Sequence, residues 1–342
     1  MRTGARHLGA VAAICLGVWC AGCEPDFAPY NEVQGLRVLG LRADPPELLP
    51  ARSADPGTAA PEVTQRPGQA SVAVSTLTAL VSDDQASYRW SWCPLATPAG
   101  SDSDCPIGSA ELDALRDALG LDQAALPPLV LGNEPSAQFA YGLAEGQLQW
   151  ICVLLRSGLQ ASLGGSSQNL PIPDCSGRAL NVRIRLEVES ATERVRAIRD
   201  LALLFSRDSA PNQNPRLMQL QVDQGGRLMP LTGEPAVELE RGAEHRLEFE
   251  LAPESVETYI GDNGDPQRED LTATWFTEGG EYDQTRTSFR EGETSLDNLR
   301  SNSWIAPMTA DYPRDTARLW VVLRDGRGGV DWQERRVRLI AP

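Results

Sequence analysis

Within residues 178–189 apolar and polar side chains alternate without a break from Leu180 to Glu189, and this stretch constrains the fold more than any other. Leu180, Val182, Ile184, Leu186 and Val188 fall on one face of an extended strand, while Asn181, Arg183, Arg185, Glu187 and Glu189 fall on the other. A strand dry on one side and wet on the other belongs to an antiparallel sheet packed on a second layer. Related patterns predict strands at residues 36–42, 71–81, 88–93 and 147–155, the first ended by the turn residues Asp44, Pro45 and Pro46. One helix is predicted inside this series. Ser109 suits its N-cap, Glu111 its first turn, Leu112, Leu115 and Leu119 one apolar stripe, and Gly120 its end.

Residues 207–216, with Asp208, Pro211, Asn212, Asn214 and Pro215, read as a linker, after which the layout restarts. Residues 216–222 echo the strand at 36–42, and residues 271–276 around Trp275 echo Tyr88, Trp90 and Trp92. The expected architecture is all-β: two tandem β-sandwiches at 36–206 and 217–342, the first carrying a helical insertion near 109–120.

The N-terminus reads as an address. Arg2, Arg6 and His7 precede twelve apolar or small residues, 8–19, too short a run for a transmembrane anchor and right for a signal peptide. Cys20, Ala21, Gly22 and Cys23 resemble the bacterial lipobox, with Cys20 where that motif usually has Leu. The resemblance implies that residues 1–22 are removed and that Cys23 is acylated; an ordinary secretory cut near Gly22 would export the chain equally. Glu24 follows Cys23, and the likeness to enteric lipoproteins, in which Asp there retains a protein at the inner membrane, favours the outer membrane. Residues 23–35 then form a lipidated tether, of which 24–35 reaches at most ~40 Å when extended, so the first sandwich is expected near the membrane surface.

Charge narrows the partners. The chain has 31 basic residues, all arginine, against 47 acidic ones, and loss of Arg2 and Arg6 takes the net charge from -16 to -18. Such a surface opposes nucleic acid, and the absence of lysine excludes Schiff-base and P-loop-lysine chemistry. Cys93, Cys105, Cys152 and Cys175 have neither CxxC spacing nor a nearby histidine, which argues for structural disulfides in an oxidising compartment. Of three connectivities, proximity in sequence favours Cys93 with Cys105 and Cys152 with Cys175.

In the C-terminal part, residues 273–280 (a strand tryptophan, Trp275, then Gly279 and Gly280), residues 303–307 (Trp304, Ala306, Pro307) and residues 319–330 resemble bacterial immunoglobulin-like domains of the polycystic-kidney-disease type. As a whole, with Pro45, Pro46 and Glu47 after the first strand, the chain resembles exported lipoproteins of myxobacterial type. Membership would imply sandwiches on a lipid anchor and no particular chemistry.

Three candidate sites remain. Trp320 shares a face with Arg318, Val322 and Arg324, opposite Leu319, Val321 and Leu323, and Trp332 lies beside Arg336 on the paired strand. This outward Trp–Arg patch is expected to be a contact between domains or a partner site, the domain contact being favoured. Asp262, Asn263, Asp265 and Asp270 collect oxygen atoms that suit calcium, but their spacing fits no EF-hand, and a solvated turn explains them better. His245 is the only histidine after the signal and has no HExxH or nucleophile elbow around it. No catalytic residue, cofactor or resident metal is assigned. The function expected is a non-enzymatic, lipid-anchored envelope protein for adhesion, scaffolding or complex assembly, binding an envelope protein or polysaccharide. The alternative is a carbohydrate-binding or hydrolytic surface lipoprotein.

Overall fold

The computed structural model describes residues 30–51, 70–80, 85–94, 105, 107–121, 125–162, 175–232, 236–261 and 264–342. The signal peptide, Cys23, the start of the tether, Asp262 and Asn263 lie outside the described residues.

In the first sandwich the order is β1 (Arg37–Asp44), β2 (Glu47–Leu48), β3 (Ala70–Ala79), β4 (Ser87–Cys93), α1 (Ser109–Leu119), β5 (Val130–Gly132), β6 (Ser136–Tyr141), α2 (Gln147–Ser162), β7 (Ala179–Glu189) and β8 (Arg194–Leu204). A three-stranded sheet, β1-β3-β6, faces a five-stranded one, β2-β8-β7-β4-β5. The alternating segment is β7, and Leu180, Val182, Ile184, Leu186 and Val188 are all buried in the core between the sheets. Trp90 and Trp92 fill the same core from β4. Their indole N–H groups donate to Glu134 O (2.8 Å) and Pro128 O (2.9 Å), so neither polar edge is left unpaired.

The second sandwich repeats the plan. Its elements are β9 (Leu217–Asp223), β10 (Leu228–Pro230), β11 (Val237–Glu240), β12 (Glu244–Leu251), β13 (Thr258–Ile260), β14 (Pro266–Arg268), β15 (Leu271–Thr277), β16 (Glu281–Tyr282), β17 (Arg286–Phe289), α3 (Leu296–Arg300), β18 (Ser301–Ile305), β19 (Thr316–Asp325) and β20 (Val330–Ile340). Its sheets are β10-β9-β12-β18-β16 and β11-β20-β19-β15-β17, with β13-β14 a small separate hairpin. Strand for strand, β9-β12-β18 corresponds to β1-β3-β6, and β11-β20-β19-β15-β17 to β2-β8-β7-β4-β5. In both, a short strand pairs in parallel with the last strand, β2 with β8 and β11 with β20. This is the strand order of an immunoglobulin-like sandwich, present twice. Trp275 and Trp304 occupy the second core, bonded to Thr287 Oγ1 (2.9 Å) and Gly279 O (3.2 Å).

Two local expectations are corrected. Residues 147–155 are not a strand but the first part of α2, whose buried face is Leu148, Ile151, Cys152 and Leu155. Those positions recur at helical spacing, whereas the strand reading requires Leu148, Trp150 and Cys152 on one face, and Trp150 is 54% exposed. The N-cap of α1 is Gly108 rather than Ser109: its N–H donates to Glu111 Oε2 at 3.0 Å, and its C=O takes the first helical bond from Leu112 N. Gly120 closes the helix in the left-handed conformation, as expected.

The disulfides Cys93–Cys105 and Cys152–Cys175 are formed, both in the first sandwich. The second ties α2 to the segment leading into β7.

Candidate functional site: the joint between the sandwiches

Parity along β19 splits its side chains between two environments. Leu319, Val321 and Leu323 enter the core of the second sandwich, while Trp320 and Val322 point out of it. They do not reach solvent. Together with Phe276 of β15 and Val330 of β20, they pack against Val33, Leu39 of β1, and Leu77 and Ala79 of β3, with half-buried Trp332 alongside. Trp320 has no exposed surface, so it is a contact between sandwiches and not a surface for an outside partner.

Local backbone geometry makes this contact possible. A bulge between Val38 and Gly40 shifts the register of β1 on β3, so Leu41 and Ala43 stay with the first core while Leu39 turns to the joint. Gly40 then lies against the second sandwich, where a Cβ would come within 3.3 Å of Trp332 and 3.5 Å of Val322. A Cβ there would touch Val322 at ordinary contact distance and require Trp332 to give by a few tenths of an ångström, so glycine lets the two layers sit this close.

Polar groups seal the rim. The carbonyls of Leu39, Leu41 and Ala43, alternate groups along β1, accept from Arg324 Nη2 (2.6 Å), Arg199 Nη1 (2.9 Å) and Asn214 Nδ2 (2.8 Å). A strand edge that could have templated another chain is thereby closed within the molecule. Arg42 pairs with Asp331 at 2.8 Å, and Asp331 also accepts from Leu217 N at 2.8 Å. Burial pushes the Asp331 carboxyl above its ordinary range against these bonds. Arg318 lies 5.3 Å from the Trp320 ring, pairs with Glu278 and donates to Leu80 O. The residues read as a linker are part of this seal: buried Asn212 donates to Glu47 Oε2 (2.7 Å) through its backbone and to Asp325 Oδ2 (3.0 Å) through its amide.

Beside Asn212 lies a charge cluster. Arg327, its guanidinium 4.5 Å from the Tyr259 ring, is within 3.9 Å of Glu47, 3.4 Å of Glu257 and 3.7 Å of Glu269. Arg178 also pairs with Glu47. Glu269 is 2% exposed, and desolvation, with help from Asp325 and Glu257, pushes its carboxyl up to about 8. Arg199, half-buried across the joint, is lowered to about 10 by desolvation, against the pull of Asp325. A shallow groove of 560 Å³ runs over Arg327 between Pro211 and Tyr259, and one of 360 Å³ lies at Arg199 between Leu41 and Gly328.

The joint therefore collects Trp320, Trp332, Arg318 and Arg324 of the sequence-derived patch, whereas Arg336 is exposed. Sequence reasoning misses the other half, Val33, Leu39, Leu77 and Ala79, and also Gly40 and Asn212. The one available signal is at Leu39, which falls in step with Leu41 and Ala43 by simple alternation but sits beside a strand glycine, a common mark of a bulge.

The remaining candidates are dispersed. Asp265 and Asp270 border the β13-β14 hairpin: Gly261 N donates to Asp265 O, and Asp270 pairs with Arg290 at 3.1 Å. Among the described residues, no group of three or more His, Cys, Asp or Glu side chains could hold a metal ion. The His245 ring contacts Glu240 O at 3.0 Å and lies beside Trp304. Among the described residues, no helix is long and apolar enough to cross a membrane.

No protein-family model matches the chain, and no curated protein does. Similar solved structures include the fibronectin(III)-like modules of Clostridium thermocellum CbhA, at 6% identity over 79% of this chain and 86% of that one, TM-score 0.23. Murine CEACAM1b shares 8% identity over 89% of this chain and 100% of its own, TM-score 0.20. The D00-D0 domain of Intimin shares 8% over 88% and 99%, TM-score 0.21. Likenesses at these scores carry no argument, and the fold rests on strand order and register.

Proposed function

We propose that this chain is a non-enzymatic protein of the cell envelope, anchored by acyl chains on Cys23, whose two sandwiches act as one stiff unit for adhesion, scaffolding or assembly of an envelope complex. The observation that carries this reading is the sealed joint. An apolar contact around Trp320, three capped β1 carbonyls and a hydrogen-bonded linker fix one angle between the sandwiches. A fixed angle suits a part that spaces or presents a partner, since domain motion is the default where an interface is small and polar. The anchor rests on the lipobox-like Cys20 to Cys23 segment, and the outer membrane on Glu24.

A carbohydrate-binding or hydrolytic lipoprotein would use a cleft lined with exposed aromatic rings. Of the described tryptophans, Trp90, Trp92, Trp275, Trp304 and Trp320 are buried, Trp332 is half-buried in the joint and only Trp150 is exposed, which favours the first reading. Two experiments test it. Labelling with a palmitate analogue should mark the wild-type chain and not Cys23→Ser, and label retained by the variant would end the anchor. Crosslinking and pull-down from the envelope fraction should recover a specific protein or polysaccharide partner, and turnover of a glycan by the purified chain would overturn the non-enzymatic assignment.

A further inference from the structure

The residues just before β1 do not lead freely into the first sandwich. They are docked on the second. Val33 N donates to Thr277 O at 2.8 Å, Thr277 N donates to Asn31 O at 3.0 Å, and Val33 is buried in the joint. Tyr30 lies 6.0 Å from Phe276, with the guanidiniums of Arg37 and Arg286 5.1 and 5.4 Å from its ring. Arg37 Nη1 also donates to Tyr30 O at 2.7 Å and Glu32 O at 3.2 Å, which fixes the strap at the corner where β1 and β15 meet. The seven residue steps from Cys23 to Tyr30 span at most about 25 Å whatever their conformation.

We propose that the corner formed by Tyr30, Arg37 and Arg286 is the surface that faces the phospholipid headgroups, so that the membrane holds the molecule at its joint with both sandwiches alongside. This rests on acylation of Cys23, the reading given above. The chemistry of the corner fits a headgroup layer: a 55% exposed tyrosine, whose ring is half apolar and half polar, beside two guanidiniums that match lipid phosphates, in a chain whose overall charge would repel them. On the strap side, the acid Glu193 already accepts from Leu36 N at 2.6 Å.

The test uses the full acylated chain in vesicles of phosphatidylethanolamine and phosphatidylglycerol, with the photocrosslinker p-benzoylphenylalanine at position 30, 150 or 260. All three native side chains are exposed, so folding should tolerate each. Lipid crosslinking is expected at position 30 at about five times the yield at the other two, because that site is joined directly to the anchored segment and lies on the proposed headgroup face. A flexible Gly-Ser insert of about twelve residues between Pro29 and Tyr30 should abolish the preference. Equal yields at the three sites, a maximum at 150 or 260, or a preference that survives the insert would overturn the orientation. Mass spectrometry of the same sample separates the two readings: acylated Cys23 with no preference defeats the orientation alone, and unmodified Cys23 defeats the anchor as well.

Discussion

The outer faces of the two five-stranded sheets have the same strand order and opposite fates. On the second sandwich, the rows Thr274–Val322–Trp332 and Phe276–Trp320–Glu334 carry the large apolar side chains of the joint. On the first, the equivalent rows are Arg89–Glu187–Arg196 and Ser91–Arg185–Ile198, which are open, and Cys93–Arg183–Asp200, which is already covered at the buried Cys93 and Arg183. Arg196 pairs there with Glu187 at 2.9 Å, Arg194 with Glu189 at 2.8 Å and Arg183 with Asp200 at 2.8 Å. The fold supplies a docking face in both cases, and side-chain composition decides whether it is used. A ladder of cross-strand ion pairs is satisfied by its own neighbours and gains little from a covering domain, whereas exposed Trp320 and Val322 would leave apolar area in water.

The largest effect should come from breaking the apolar face. Trp320→Ala is expected to cost about 3–5 kcal/mol, since it removes a fully buried indole from between two layers that cannot collapse independently. Denaturant unfolding should then split into two transitions, one per sandwich; a single transition near the wild-type midpoint would mean that the joint does not couple them. Next comes a covalent contrast, because only the first sandwich holds disulfides. Replacing Cys152 and Cys175 with alanine reopens a 23-residue separation and should cost about 3 kcal/mol by loop entropy. In the split-transition background only the first sandwich should shift, and a shift in both would point to coupling that survives the loss of Trp320.

The charge cluster adds a pH dependence to the joint. Unfolded, Glu269 ionises near its ordinary 4.5, and folded it ionises at about 8. Between those values the folded state keeps a proton that the unfolded state has released, so stability falls as pH rises and levels off above 8. The decline should total about 2–3 kcal/mol, less than the full shift implies because Arg327 can move toward the new charge. Glu269→Gln should flatten the profile across this window, and an unchanged profile would place the titration elsewhere.

How much of this is legible in the sequence depends on the range of the interaction. The strand β7 is legible because its period is local, and the inward tryptophans of β4 and β15 follow from the same parity. Both disulfides follow from proximity in sequence. The second-sandwich half of the joint is visible because Trp320 falls on the face opposite Leu319, Val321 and Leu323. Its partners are not, since Leu39 and Leu77 look like core residues until the bulge beside Gly40 turns Leu39 outward. Segment 147–155 misleads because Trp, Ile, Cys, Val and Leu suit a strand, and only its contacts select the helical period. The strap reads as a free tether because its hydrogen bonds to Thr277, more than 240 positions away, leave no local trace.

The two smallest effects sharpen the comparison from either side. Gly40→Val should cost about 1–3 kcal/mol by overpacking, because its side chain would collide with Trp332 and Val322. That cost should disappear in a Trp332→Ala background if the collision is its cause, and a cost that stays would locate the strain within β1 itself. On the opposite face, Arg196→Ala removes one exposed cross-strand pair and should cost no more than about 0.5 kcal/mol, diminishing with salt. The same site offers the converse test. With Arg196→Val and Glu187→Val together, the face gains an apolar row beside exposed Ile198, and the chain should begin to self-associate, as gel filtration would show. If the doubly substituted chain stays monomeric at high concentration, the ion pairs are not what keeps this face free, and the contrast between the two sheets lies in the shape of the faces rather than in their charge.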